Sequence, residues 1–280
     1  MAKCEVCFRH CEIKEGSLGF CGARTCRNGQ VIAANYGLLT PVVLDPIEKK
    51  PLRRFHPDSM ILSFGSYGCN LRCPFCQNSG ISWSEQAATA VKYAKKTTPT
   101  QIAAAAERYK DEGNIGVAFT YNEPLICWEF VRDTAKLVHE RGMLNVMVTN
   151  GTAEIPILEE LLPHIDAMNI DLKGFTDRYY RDVLKGDRAQ VLRFIERAAQ
   201  DCHIELTTLI IPGENDTEDE MREISGWIAE LPGGKDIPLH ISRFFPRFNM
   251  TDRPATDVGL IYRLADIARE RLNYVYTGNC

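Results

Sequence analysis

The chain has 280 residues, 45% hydrophobic and 25% charged, with a formal net charge of −4 and 11 cysteines. This is enough for one large α/β domain with an appendage, and the composition excludes a disordered chain. No twenty-residue apolar run is present, so no membrane span is expected, and the acidic balance argues against a nucleic-acid groove.

The N-terminus, "MAKCEVCFRHCEIKEG", lacks the apolar core of a signal peptide. The expected location is the cytoplasm, where thiols stay reduced and serve as metal ligands, catalytic groups or inert buried side chains. Residues 1–54 begin with cysteines and glycines and continue as short apolar runs broken at Thr40-Pro41 and Asp45-Pro46. This predicts a small cysteine-rich loop and strand module ahead of a core domain over 55–280. Within the module Cys4, Cys7 and Cys11 have CxxCxxxC spacing, with Cys21 ten residues on as the preferred fourth ligand and Cys26 as a spare. Four thiolates close a zinc site or hold an iron–sulfur cluster, and the spacing leaves zinc, a cluster and unmetallated thiols all open.

From Met60 onward short apolar runs alternate with helical patterns, as in a buried parallel sheet. Strands are predicted over 60–66, 115–121, 144–150, 167–173, 203–211 and 237–244. Between them, Thr98 with Pro99 and Gln101 forms a capping box for a helix ending near Gly113. Further helices are predicted over 123–142, 216–231 and 256–272, followed by a strand-like 273–278, while 77–97 is the longest unassigned connection. Strand and helix units in succession require right-handed crossovers, giving an open doubly wound sheet or a full or partial barrel. Cys127 and Cys202 fit core positions, and Cys280 either lies near the site or hangs free.

The sharpest feature is "SYGCNLRCPFCQNSG" over 66–80, where Cys69, Cys73 and Cys76 crowd into one loop after the first core strand. A structural zinc site uses four protein ligands, and so does a cubane cluster. Three cysteines on a [4Fe–4S] cluster leave one iron open to a substrate or cofactor. Polar residues recur at later strand ends: Asn122 and Glu123 in "TYNEP", Thr149 and Asn150 in "VTNG", Asp171 and Lys173 in "NIDLKG", His240 and Arg243 in "HISRFFP". Such positions build the site of a barrel or an α/β sheet. Each also has a plainer explanation, since Glu123 and Asp171 suit helix N-termini and His240 suits a satisfied core histidine.

CxxxCxxC with an aromatic, here Phe75, before the last cysteine resembles the signature of the radical S-adenosylmethionine (SAM) superfamily. The resemblance implies a partial (β/α)6 TIM-type barrel in which Cys69, Cys73 and Cys76 hold the [4Fe–4S] cluster. It also implies that the open iron chelates SAM, and that one electron from a donor such as flavodoxin or ferredoxin yields a 5′-deoxyadenosyl radical that abstracts hydrogen. "TYNEP" stands where the superfamily commonly has GGEP for the SAM amino group. By the same resemblance Asn122 and Glu123 serve the SAM amino group and Asp171, Lys173 and His240 belong to the SAM site, with Phe75 beside the cluster, while Thr149, Asn150 and Arg243 join as cofactor-binding candidates from their strand-end positions. Over nearly its whole length, including "DPIEKKPL", "TTLIIPGEND" and "YVYTGN", the chain looks like the radical SAM component of the AmmeMemoRadiSam system, often labelled pyruvate formate-lyase activating enzyme-like. Activases commonly carry an acid just before TNG, whereas this chain has Val148. Two rival functions follow: a glycyl-radical-enzyme activase acting on a partner protein, and a non-catalytic zinc-binding adaptor.

Overall fold

The computed structural model describes residues 1–280. Two small antiparallel ribbons lie in the N-terminal segment: β1 (Ala2–Lys3) with β2 (Glu12–Ile13), and β3 (Arg24–Arg27) with β4 (Gln30–Ala33). The remaining strands form one eight-stranded sheet: β5 (Val43–Pro46), β6 (Met60–Phe64), β7 (Asn114–Phe119), β8 (Leu144–Thr149), β9 (Ala167–Asp171), β10 (His203–Ile210), β11 (Leu239–Arg243) and β12 (Val275–Gly278). They neighbour one another in chain order. Every pairing from β6 to β12 is parallel, and β5 runs antiparallel along the edge of β6. The result is a partial TIM-type barrel, with β6 to β11 as the six predicted strands.

The helices are α1 (Ser79–Ser82), α2 (Glu85–Ala90), α3 (Pro99–Arg108), α4 (Trp128–His139), α5 (Ile155–Leu161), α6 (Arg188–Asp201), α7 (Glu218–Glu230) and α8 (Val258–Arg269). The capping box of α3 is formed, with Thr98 Oγ1 accepting the Gln101 amide at 3.2 Å and Gln101 Oε1 accepting the Thr98 amide at 2.8 Å. Such a cap stabilises a helix by about 1 kcal/mol. Four helices go beyond the sequence prediction: α1 and α2 within 77–97, α5, and α6, which buries Val191, Phe194, Ile195 and Ala198 and is capped by Asp187.

Residues between Val43 and Leu52, grouped with the N-terminal module on sequence, are built into the barrel. Ile47 and Leu52 pack against Ile61, Ala118, Val146 and Ala167, one residue from each of β6 to β9. Full burial of each large apolar side chain stabilises by roughly 1.5–3 kcal/mol. This segment closes the end of the barrel where the strands begin. Asn169 donates to the Pro51 carbonyl at 2.9 Å, and Glu205 accepts the amides of Arg53 and Arg54. Beside it Lys50 is buried against Asp45 at 2.8 Å and lies over the Tyr121 ring, whose hydroxyl donates to Asp45 at 2.7 Å. Burial works against the Asp45 charge, but Lys50, Tyr121 and Lys49 outweigh it and hold the carboxyl at about 2. No helix is long and apolar enough to cross a membrane.

Candidate active site

The three-cysteine loop leaves the C-terminal end of β6. Gly68 has φ 101°, a left-handed conformation open to glycine, and a Cβ there would come within 2.5 Å of the Cys21 carbonyl oxygen. That close approach lets the Cys69 amide donate to the same carbonyl at 3.1 Å. Cys69, Cys73 and Cys76 lie within one another's electrostatic reach. Burial pushes the Cys69 thiol well above its ordinary range and the Cys73 thiol up to about 11. Cys69 Sγ accepts the Leu71 amide at 3.4 Å and faces Asn150 Nδ2 at 3.9 Å. Phe75 is buried, edge-on to Phe244 with ring centroids 6.5 Å apart.

Side chains from the ends of β7 and β8 form one buried network behind this loop. Both ends of the Asn122 carboxamide are engaged: Oδ1 accepts the Ser66 amide at 2.8 Å, and Nδ2 donates to the Gly68 carbonyl at 3.0 Å. Asn122 therefore staples the loop, and its Oδ1, with one N–H bound, keeps a second lone pair for a further donor. Glu123 accepts Thr149 Oγ1 at 2.6 Å, the Asn150 amide at 2.8 Å and the Leu125 amide at 3.0 Å. Burial lifts its carboxyl to about 7 against the pull of these donors. Asn150 reaches Asn70 Oδ1 at 3.0 Å and also accepts from Thr152. Asn70 in turn donates to Thr152 Oγ1 at 2.6 Å.

At the end of β9, Lys173 Nζ donates to Asp171 at 2.8 Å. Burial disfavours this ammonium, but the charges of Asp171 and Cys73 prevail and keep it protonated well above its usual range. Arg243, at the end of β11, donates to the Thr256 carbonyl at 2.7 Å and so secures the following loop. His240 does not lie at the strand end with Arg243. It is the second residue of β11, near the floor, where Nε2 donates to Glu205 at 2.6 Å and the ring stacks on Tyr276 at 5.3 Å. Burial penalises the Glu205 charge, yet His203, His240 and the amides of Arg53 and Arg54 together bring it to about 2. Side-chain alternation and this carboxylate set the depth of His240.

Asn70, Tyr121 and Glu205 went unmarked in the sequence reading. Glu205 carried a signal, since an acid inside the apolar run "HIELTTLII" must find buried partners.

In the N-terminal segment Cys4, Cys7, Cys11 and Cys21 line a single cleft together with Arg9, Arg24 and Ile126. Cys26 is buried on β3 and its thiol faces Glu15 at 3.3 Å, outside that cleft. Burial raises the Cys4 and Cys21 thiols and takes Cys7 to about 11. No three His, Cys, Asp or Glu side chains in the chain are close enough together to enclose a single metal ion as they stand. Cys127 is buried, Cys202 half-buried, and Cys280 exposed.

The donor set of the loop fits a [4Fe–4S] cluster with one open iron. It offers three soft thiol ligands and no fourth, N–H groups directed at the Cys69 sulfur, and the Lys173 cation beside Cys73.

The radical SAM superfamily profile matches residues 64–224. The chain is 40% identical over 279 residues to an uncharacterized protein of Methanocaldococcus jannaschii, covering 99% of this chain and 81% of that one. It is 26% identical over 206 residues to the pyruvate formate-lyase-activating enzyme of Clostridium pasteurianum, covering 71% of this chain and 80% of the relative. In fold it is similar to a crystal structure of a domain of pyruvate-formate lyase-activating enzyme from Bacteroides vulgatus. That likeness has TM-score 0.50 and 22% identity and covers 59% of this chain and 99% of the other.

Proposed function

The chain belongs to the radical SAM superfamily and is an enzyme, and on that premise we propose that Cys69, Cys73 and Cys76 hold a [4Fe–4S] cluster that works with SAM bound at the same barrel mouth. The observation that carries this is the three-thiol loop itself, held at the ends of β7 and β8 by Asn122, Glu123 and Asn150. Together the bound cluster and SAM supply reductive sulfonium cleavage and hydrogen-atom abstraction, the chemistry that a protein scaffold cannot perform alone. The chain's residues supply position and exclusion of water. Asn122 fixes the loop that presents the thiols, and Glu123 locks Thr149 and Asn150 beside it. Asp171 and Lys173 offer paired charges that match the ammonium and carboxylate of SAM. Phe75 and Phe244 give the loop an apolar backing, while Arg243 secures the loop after β11. His240 lies deeper in the barrel, held on Glu205.

We read the N-terminal segment as a second metal-binding element, holding zinc or iron–sulfur, joined to the radical SAM core. The module is proposed over 1–54 and the core over 55–280, with β5 of the module joining the main sheet. Members of the superfamily draw electrons from a donor, and a flavodoxin or ferredoxin fills that role here.

A narrower reading, activation of a glycyl-radical enzyme by abstraction from a glycine in a partner protein, is supported by the activating enzymes among the relatives. Val148, on β8 just before Thr149, leaves the position before TNG without an acid.

The test is anaerobic incubation of the purified protein with SAM and a one-electron reductant. Wild type is expected to form 5′-deoxyadenosine, and Cys73→Ala to form none. Equal turnover by the two proteins overturns the reading, and a persistent radical in an added glycyl-radical enzyme selects the activase.

A further inference from the structure

We propose that Cys4, Cys7, Cys11 and Cys21 hold a second, thiolate-ligated metal centre of net negative charge, and that it is coupled to the three-cysteine loop through Cys21 and a pair of stacked arginines. This rests on reading the N-terminal cysteines as metal ligands and is independent of what the loop itself binds.

The charge around the cleft points to an anionic occupant. Arg24 is 4% exposed and pairs with Glu129 through Nη1 at 2.7 Å, but its buried Nε–H has no acceptor. It lines the cleft beside Cys4, on which its charge acts. An N–H left this way costs roughly 1–3 kcal/mol, and a thiolate or sulfide in the cleft would accept it.

Arg9 and Arg72 add a second imbalance. Their guanidinium carbons lie 3.4 and 3.8 Å from the centroid of the same Phe20 ring. Every hydrogen bond of the two groups goes to a main-chain carbonyl: Asn70 and Lys185 from Arg9; Cys69, Leu71 and Phe20 from Arg72. A guanidinium does not shed its charge, so two like charges are half-buried on one ring. Arg9 lines the cleft of the N-terminal cysteines and donates to the Asn70 carbonyl of the three-cysteine loop, where Arg72 donates to the Cys69 carbonyl. The pair thus stands between the two sulfur groups and belongs to both. A zinc or iron–sulfur core held by four thiolates carries net negative charge and would answer these cations.

The coupling runs through one hydrogen bond. The Cys21 carbonyl accepts the Cys69 amide, and Gly68 packs on the same carbonyl oxygen. Drawing Cys21 onto a metal therefore sets where the first loop thiol stands. Zinc and an iron–sulfur core share the chemistry required, and metal analysis separates them.

The experiment counts iron, acid-labile sulfide and zinc per chain after anaerobic purification of the full chain and three variants. A loop variant carrying Cys69→Ala, Cys73→Ala and Cys76→Ala is expected to retain one centre, as zinc or as iron with sulfide. A module variant carrying Cys4→Ser and Cys11→Ser is expected to lose that centre, and Cys26→Ser to keep it. The coupling predicts that the remaining iron of the module variant shows an altered electron paramagnetic resonance signal after reduction. A metal-free loop variant, or a module variant with the full complement, overturns the site, and an unaltered signal overturns the coupling. If the module variant fails to fold, the loop variant decides the site, and Phe20→Ala, which removes the ring shared by Arg9 and Arg72, decides the coupling.

Discussion

Glu123 at the end of β7 and Thr149 at the end of β8 share a buried hydrogen bond of 2.6 Å, and the Asn150 amide meets the other Glu123 oxygen at 2.8 Å. Burial raises this carboxyl from 4.5 to about 7. Between those values the folded state keeps a proton that the unfolded chain has released, so stability falls as pH rises through the window. The full loss is about 3 kcal/mol. Urea midpoints of the metal-free protein between pH 4.5 and 8 should show this slope, and Glu123→Gln should flatten it. Thr149→Val, which removes a donor, should cost about 1–3 kcal/mol.

Glu205 behaves in the opposite sense. Its carboxyl is held at about 2 in the fold against an ordinary 4.5, so its stabilisation is complete above 4.5 and is lost as pH falls toward 2. Glu205→Gln should destabilise by about 3 kcal/mol at pH 7. The gap in melting temperature between wild type and variant should close as pH drops from 5 to 2. A gap independent of pH would show that the carboxylate charge is not what holds His240.

Tyr121 has φ 71°, an uncommon conformation for a bulky residue. Its hydroxyl on Asp45 and its ring under Lys50 hold it there. Tyr121→Phe should cost about 1 kcal/mol for the lost hydrogen bond. Tyr121→Gly should be more stable than Tyr121→Ala by about 1 kcal/mol, because only glycine adopts this backbone without strain. Equal chemical denaturation midpoints for Gly and Ala would remove the strain argument.

Gly68→Ala places a methyl group 2.5 Å from the Cys21 carbonyl in a left-handed backbone at φ 101°. The loop must move, at a cost of about 2 kcal/mol or more. Lower melting temperature and reduced iron per chain are expected, and an iron content equal to wild type would show that the loop tolerates the shift.

The parts of this protein that were legible in its sequence are those whose partners are near in the chain. The CxxxCxxC spacing, the Thr98–Gln101 capping box and the apolar runs of β6 to β11 depend on residues a few positions apart, and each is found where expected. The edge strand β5 was hidden because four residues ending at Pro46 carry no period of their own. Asn122 illustrates a subtler gap: its position at the mouth was readable, but its hydrogen bonds to Ser66 and Gly68, which hold the loop, are revealed only by the fold.

By itself the sequence determined the superfamily, through the CxxxCxxC signature, and a strand and helix order that builds one barrel. Tertiary structure alone decided which distant groups meet: Cys21 on Cys69, His240 on Glu205, Tyr121 on Asp45. The physical reason is register. Pairings such as Thr207 with His240 and Glu205 with Asn169 decide which side chains share one level of the barrel. A slip of one residue would turn every one of them to the other face, a choice made by the packing of the whole sheet and not by any local run.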